Sequence, residues 1–321
     1  MLRYLARRLG WAVAMFFVVT VVTYVIFFVV PVDPAKQSCG QRATPTCIRN
    51  AQHYLGLDDP IYVQYGKFLK RLVIDHDLGK SFVGRQSVNE IVLDAAPVTA
   101  SIAFGGLLVM LLMAFPIGIL SALRPRSLLD RAAMTFSLAF ISVPSFWLAL
   151  IAVYFVSFKL GWTPITGYCD LVNPSTDCGG VGQWAWHLAL PWVVFGVHNA
   201  AYYVRMIRAQ LMEAMTEDYV RTARAKGAPE GQVIRSHAMR NAIMPIVTML
   251  GMDIGFVLGG LFFLEFVFSM PGLGNLAIDS VTLFDYPVTM GVVIFGTVAI
   301  LVANLVVDIL YAAIDPRVRL T

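Results

Sequence analysis

The chain has 321 residues, of which 58% are hydrophobic and only 14% charged, and its mean hydropathy is +0.71. Soluble domains carry about 25% charged residues, so this composition excludes an ordinary soluble enzyme, and the apolar excess equally excludes a disordered chain. The net charge of +4 is too small to point to nucleic acid, and no basic tract with interleaved aromatics accompanies it.

Crossing a bilayer core of about 30 Å takes about 20 mostly apolar helical residues, and six stretches meet that requirement. The first, residues 11–30, follows Arg3, Arg7 and Arg8. Its apolar run exceeds a signal-peptide core and no A-x-A-like site follows, so it is expected to be retained. The next segment, residues 31–96, is too long for a passive connector and should hold short helices of its own. Within it, Ile61, Val63, Tyr65, Phe68, Leu69 and Leu72 recur at helical spacing, with Lys67, Lys70 and Arg71 opposite. Two compatible readings stand: a helix lying on the lipid headgroups, or a docking surface for an extracytoplasmic partner. Gly79-Lys80-Ser81 imitates a phosphate loop, but Ile74 stands where the required earlier glycine belongs, so it is set aside.

The second and third spans cover residues 97–123 and 132–158; Pro144 removes a backbone donor in the third and should kink it. The fourth, 188–204, is short and holds Pro191, His198 and Asn199. The fifth, 242–268, carries Asp253 and the small residues Gly251, Gly255, Gly259 and Gly260, which favour close helix contact. The sixth, 288–310, carries Asn304. Glu265 and Asp308 stand near span ends, where water should reach them.

Orientation follows from Lys and Arg in short loops. With both termini cytoplasmic, the inner segments hold 15 of the 24 basic residues, and the two short outer segments hold only Lys159. The long segment 31–96 holds the other eight, but segments of that length cross largely regardless of charge. All four cysteines, Cys39, Cys47, Cys169 and Cys178, fall outside on this assignment, where disulfides persist. Local pairing, Cys39 with Cys47 and Cys169 with Cys178, is favoured over two cross-loop alternatives. No C-x-x-C spacing or neighbouring His cluster supports a metal site.

The inner segment 205–240 is the most informative. Residues 217–226 form a good helix with acidic residues near the start and basic residues near the end. Gly227 supplies a stop, and Pro229 suits the first turn of a second helix. This pattern describes either a stiff knob presented to the cytoplasm or an ordinary basic inner loop.

Here the residues carry a resemblance. Tyr219-Val220-Arg221-Thr222-Ala223-Arg224-Ala225-Lys226-Gly227, followed by His237-Ala238-Met239-Arg240-Asn241-Ala242-Ile243-Met244-Pro245, resembles the EAA-type loop of ABC-importer permeases, nearest the dipeptide/oligopeptide/nickel branch. Leu55-Gly56-Leu57-Asp58-Asp59-Pro60, Asp77-Leu78-Gly79-Lys80-Ser81, the run from Glu265 to Gly274, Asp285-Tyr286-Pro287 and Asp315-Pro316-Arg317 resemble the same branch in the same order. The stretch 32–47 and the Cys169–Cys178 loop look like additions, and Asp253 stands where that branch often has a neutral amide.

The resemblance implies an all-α integral membrane protein of type I ABC-importer architecture: one helix plus a long outer segment (1–96), then a five-helix core (97–321) with its coupling loop at 205–240. It implies half of a translocation path in the cytoplasmic membrane of a prokaryote, completed by a second homologous permease in a heterodimer. Two ATPase subunits or domains would bind the ATP and magnesium, an extracytoplasmic binding protein would deliver di- or oligopeptides, and this chain would hold no cofactor, metal or catalytic residue. Nickel complexes, haem or another small solute are alternative cargoes, and an ion-coupled secondary transporter is the alternative class. On the same analogy Glu217, Tyr219, Ala223 and Gly227 would meet the ATPase, with Arg224 and Lys226 pairing its acids. Polar and ionisable residues inside spans are functional candidates by default. Asp253, His198 and Asn304 are therefore candidates for the path. Asp253 can attract a cationic group or serve as a structural hydrogen-bond partner, and His198, Asn199 and Asn304 can equally join helices.

Overall fold

A computed structural model describes residues 2–29, 35, 36, 39, 44–55, 59–171, 178–258 and 261–314. Every regular element among them is helical: α1 (Leu2–Tyr24), α2 (Pro45–Leu55), α3 (Ile61–Val73), α4 (Val88–Leu123), α5 (Leu128–Ser142), α6 (Ser145–Ala152), α7 (Val181–Thr216), α8 (Asp218–Ala225), α9 (Met239–Leu258), α10 (Phe262–Val267), α11 (Leu273–Thr282) and α12 (Tyr286–Ile314). Wider π-helical turns extend α1 over Val25–Val29 and α6 over Val153–Lys159, and lead into α9 over Val233–Ala238.

Among the described residues, three helices are long and apolar enough to cross a membrane, over Ala6–Phe27, Val88–Leu123 and Tyr286–Ile309. They correspond to the first, second and sixth expected spans. The third is more than kinked. Val143 and Pro144 are extended, and the helices on either side turn through 101°, so Leu128–Ser142 and Ser145–Lys159 make one span only if a broken helix is allowed. Pro191 acts differently, lying buried inside an unbroken α7. At 36 residues this helix is about 54 Å long, so it outruns the apolar stretch 188–204 at both ends. The fifth stretch departs from expectation: 242–268 is no single helix, because α9 ends at Leu258 and α10 begins at Phe262. Gly259, Gly260, Gly56, Leu57, Asp58 and the tail with Arg317 and Arg319 lie outside the described residues.

The centre is the α4–α7 pair, where glycines let large side chains in. A Cβ at Gly105 would lie 2.0 Å from the Trp192 ring, and one at Gly106 2.6 Å from Phe195. Ile102, Leu188 and Phe268 close this cluster with no or almost no exposure. Gly251 of α9 does the same against Val307 of α12, where a Cβ would stand 2.3 Å away. At Gly251 and Gly255, the small-residue stripe read in the fifth span is thus a helix contact.

The amphipathic segment before the second span is α3, and part of its apolar side packs on the protein. Phe68 is buried with Tyr24 of α1 and Met290 and Ile294 of α12, and Tyr65 and Leu72 pack on the same cluster. Tyr24 donates to Gln64 Oε1 at 3.1 Å, and the Tyr65 and Thr20 hydroxyls lie 3.1 Å apart. The helical period was right and its partner was the protein itself. Ile61 and Tyr62 remain exposed at the start of α3.

Candidate functional site

The chain leaves α7 at Glu217, whose extended backbone turns it directly into α8. Val220 and Ala223 point inward, packing with Ala122, Leu211, Val233 and Ala242. Glu217, Tyr219, Arg224, Lys226 and Gly227 are exposed. Ala223 is only 7% exposed, so its methyl helps to seat the helix. The end of α8 is a Schellman stop: Ala228 N–H donates to Ala223 O at 3.2 Å and Gly227 N–H to Arg224 O at 2.9 Å. Gly227 has φ +77°, which a residue with a side chain adopts at a cost. Across this turn Arg224 grips Glu230, with Nη2 to Oε1 at 2.7 Å and Nε to Oε2 at 3.1 Å. These hydrogen bonds hold the Glu230 carboxyl below its ordinary value and push the Arg224 guanidinium up. The outcome is a short helix fixed at both ends and projecting between α7 and α9.

Behind it lies a polar knot with no counterpart in the expectations. Asp130, at the start of α5 and 3% exposed, receives Arg208 of α7 in a two-pronged pair, Nε to Oδ1 at 2.6 Å and Nη2 to Oδ2 at 2.9 Å. The Ser121 hydroxyl of α4 also donates to Asp130, and Arg126 N–H reaches Oδ2 at 2.8 Å. One carboxylate therefore joins α4, α5 and α7 next to the α8 packing. Ser127 caps α5 by accepting from Asp130 N–H at 3.2 Å. The Ser-x-x-Asp spacing of a capping box was the available signal.

The residues proposed for a path each meet a different neighbour. Asp253 of α9 accepts a 2.6 Å hydrogen bond from Tyr203 of α7, which is 1% exposed. His198 lies on α7 with its ring 6.3 Å from that of Tyr202, and its buried Nδ1 has no hydrogen-bond partner among the described residues. Asn199 donates within its own helix, to Phe195 O at 2.9 Å, and does not join two helices. Asn304 is exposed on α12, beside Gly255.

Two further carboxylates organise the opposite end. Glu265 is fully buried, which overturns the expectation that water reaches it. It accepts from Thr99 Oγ1 at 2.6 Å, Gly274 N–H at 2.7 Å and Asn275 N–H at 3.0 Å. Its carboxyl thus sits at the start of α11, where unsatisfied N–H groups find an acceptor. Asp285 accepts from the Ser81 hydroxyl and from Phe82 N–H at 3.0 Å, so the Gly-Lys-Ser triplet is a strap tied to the start of α12. Asp308 is partly exposed and pairs with Arg8 at 3.2 Å.

The cysteines form Cys39–Cys47 and Cys169–Cys178, the local pairing. His187 of α7 brings Nδ1 to 3.1 Å from Cys169 Sγ, a neighbour that spacing did not reveal. With both sulfurs in the disulfide, this group of three has no thiolate to offer a metal.

Residues 114–320 match the family described as the binding-protein-dependent transport system inner membrane component, and residues 1–103 match its N-terminal companion. The chain is 38% identical to a di/tripeptide transport system permease protein of Pseudomonas aeruginosa, with 99% of each chain covered. It is 35% identical to a glutathione transport system permease protein of Escherichia coli, with 99% of each covered. A dipeptide transport system permease protein of Alkalihalophilus pseudofirmus is 34% identical, with 99% of this chain and 100% of the relative covered. The matched residues take in α1, the broken span, α8 and the Ser81 strap, and the chain belongs to the binding-protein-dependent transport system inner membrane component family.

Proposed function

We propose that the chain is one of two transmembrane subunits of an ATP-driven importer of short peptides. It would work in the cytoplasmic membrane of a prokaryote, crossing it six times with both termini inside. The observation that carries this reading is α8, a short helix with a buried inner face, a glycine stop and an exposed polar outer face. A stiff projection of this kind can fill a cleft in a separate ATPase, whereas a flexible basic loop would dissipate the push.

Force would enter at Glu217, Tyr219, Arg224, Lys226 and Gly227. It would pass directly into α7, because α8 follows that helix with only the Glu217 turn between them. The Asp130–Arg208 pair would make α4 and α5 move with α7. The second permease would supply the other half of the path. An outer binding protein would deliver the peptide, in keeping with the di/tripeptide, dipeptide and glutathione systems of the relatives.

The test is purification of the tagged chain after co-expression with its partners, followed by reconstitution into liposomes. Co-purifying ATPase subunits and uptake of a labelled dipeptide that needs both ATP and the binding protein support the reading. A chain that moves solute alone on an ion gradient overturns it.

A further inference from the structure

A cleft of about 480 Å³ opens between α5, α7 and α9, within the 300–1,000 Å³ typical of small-molecule sites. Its walls include Met134, Met206 and Met249, with Tyr202, Arg205 and Arg208 supplying polarity. Thioether side chains re-pack around ligands of different shape, which suits cargo whose side chains vary. The two arginines differ. Both prongs of Arg208 are engaged by Asp130, so its charge is matched. Arg205 is exposed and has no ion-pair or hydrogen-bond partner among the described residues. His198, Tyr202 and Arg205 follow one another at spacings of four and three residues, along one stripe of α7. Asp253 stands one helical turn beyond Met249 on α9.

We infer that Arg205 is a subsite for the C-terminal carboxylate of the transported peptide, held in this cleft beside Tyr202. A guanidinium offers a planar fork that matches a carboxylate with two parallel hydrogen bonds. A dipeptide spans no more than about 7 Å, so such a zwitterion fits the cleft with its carboxylate on Arg205. The methionines would receive its side chains without selecting among them. This inference rests on the peptide-import reading above.

The test compares uptake of alanyl-alanine with that of its C-terminal amide by the full reconstituted transporter, in wild type, R205Q and R205K. Comparing the acid-to-amide ratio between variants cancels any preference of the binding protein. The inference expects R205Q to lower that ratio at least about tenfold, the scale of one lost charge-assisted hydrogen bond. R205K should fall between R205Q and wild type. An unchanged ratio in R205Q overturns the subsite while leaving peptide import intact. Equal loss on both peptides that tracks the anionic-lipid content of the vesicles assigns Arg205 to lipid phosphate, and also overturns it. A wild-type transporter that moves neither peptide removes the peptide reading itself.

Discussion

At the scale of single residues, the buried carboxylates decide most. Glu265 gathers three donors from α4 and the start of α11. Glu265→Ala would leave a hydroxyl and two amides unpaired in a water-free site, each costing about 1–3 kcal/mol. We expect a clear drop in the melting temperature of the detergent-purified protein. Gly272→Ala should act in the same direction, because its Cβ would stand 2.4 Å from the Glu265 carboxyl carbon. Gly10→Ala, with nothing within 4 Å, should melt like wild type. Glu265 also marks a limit of sequence reading. Its position near a span end suggested access to water, whereas its burial depends on Thr99, 166 residues away, and no local pattern encodes that meeting. Asp130 was legible in principle through its capping spacing, yet its partner Arg208 lies 78 residues on. Removing one partner of a buried ion pair costs about 3–5 kcal/mol. Asp130→Asn should therefore lower melting markedly, while Asp218→Asn, in an exposed 3.5 Å pair, should change it little.

At the scale of elements, α8 and its stop were legible because they are local: composition, charge order and Gly227 all lie within one short window. The broken spans were only half legible. Pro144 announced a kink, but a 101° turn depends on what packs against α6, and α10 ended the fifth stretch as a helix of its own. The Schellman geometry at Gly227 yields a graded prediction. Gly227→Ala meets no atom within 4 Å but must adopt a positive φ, at about 1–2 kcal/mol, so uptake should fall partially. Gly227→Pro cannot reach φ +77° and also loses the N–H that donates to Arg224 O. It should abolish ATP-driven uptake while the variant still inserts and co-purifies with its partner permease. Normal uptake by Gly227→Pro would sink the coupling role of α8. The Arg224–Glu230 clasp adds a pH dependence with a definite sign. Because the Glu230 carboxyl is held below its unfolded value of 4.5, the clasp contributes fully above that pH and is lost as pH falls through the folded value. Amide exchange of residues 224–228 should therefore quicken, relative to the α7 interior, only in acid.

At the scale of the whole molecule, orientation is the property on which every partner assignment depends. It rests on an asymmetry of charge: fifteen basic residues in segments assigned inside against Lys159 alone in the short outer ones. The cysteines give an independent reason for the same arrangement, since both disulfides lie on the side assigned outside. The long α7 runs from Val181, close to the Cys178 disulfide, to Thr216 beside α8. If that helix crosses the bilayer, the Ser81 strap and the α8 knob must face opposite compartments. The pairing of all four native cysteines leaves no reactive thiol in the background, so single cysteines can report on this directly. Val83, on the strap and 60% exposed, should as Val83→Cys react with a membrane-impermeant maleimide added to intact spheroplasts. Ser236→Cys, exposed behind α8, should react only after the membrane is opened. Were Ser236→Cys labelled from outside, the knob could not meet a cytoplasmic ATPase, and the importer assignment would fail with the topology. Labelling at both sites before opening would instead mean that α7 does not cross, leaving the 205–240 segment on the same side as the disulfides.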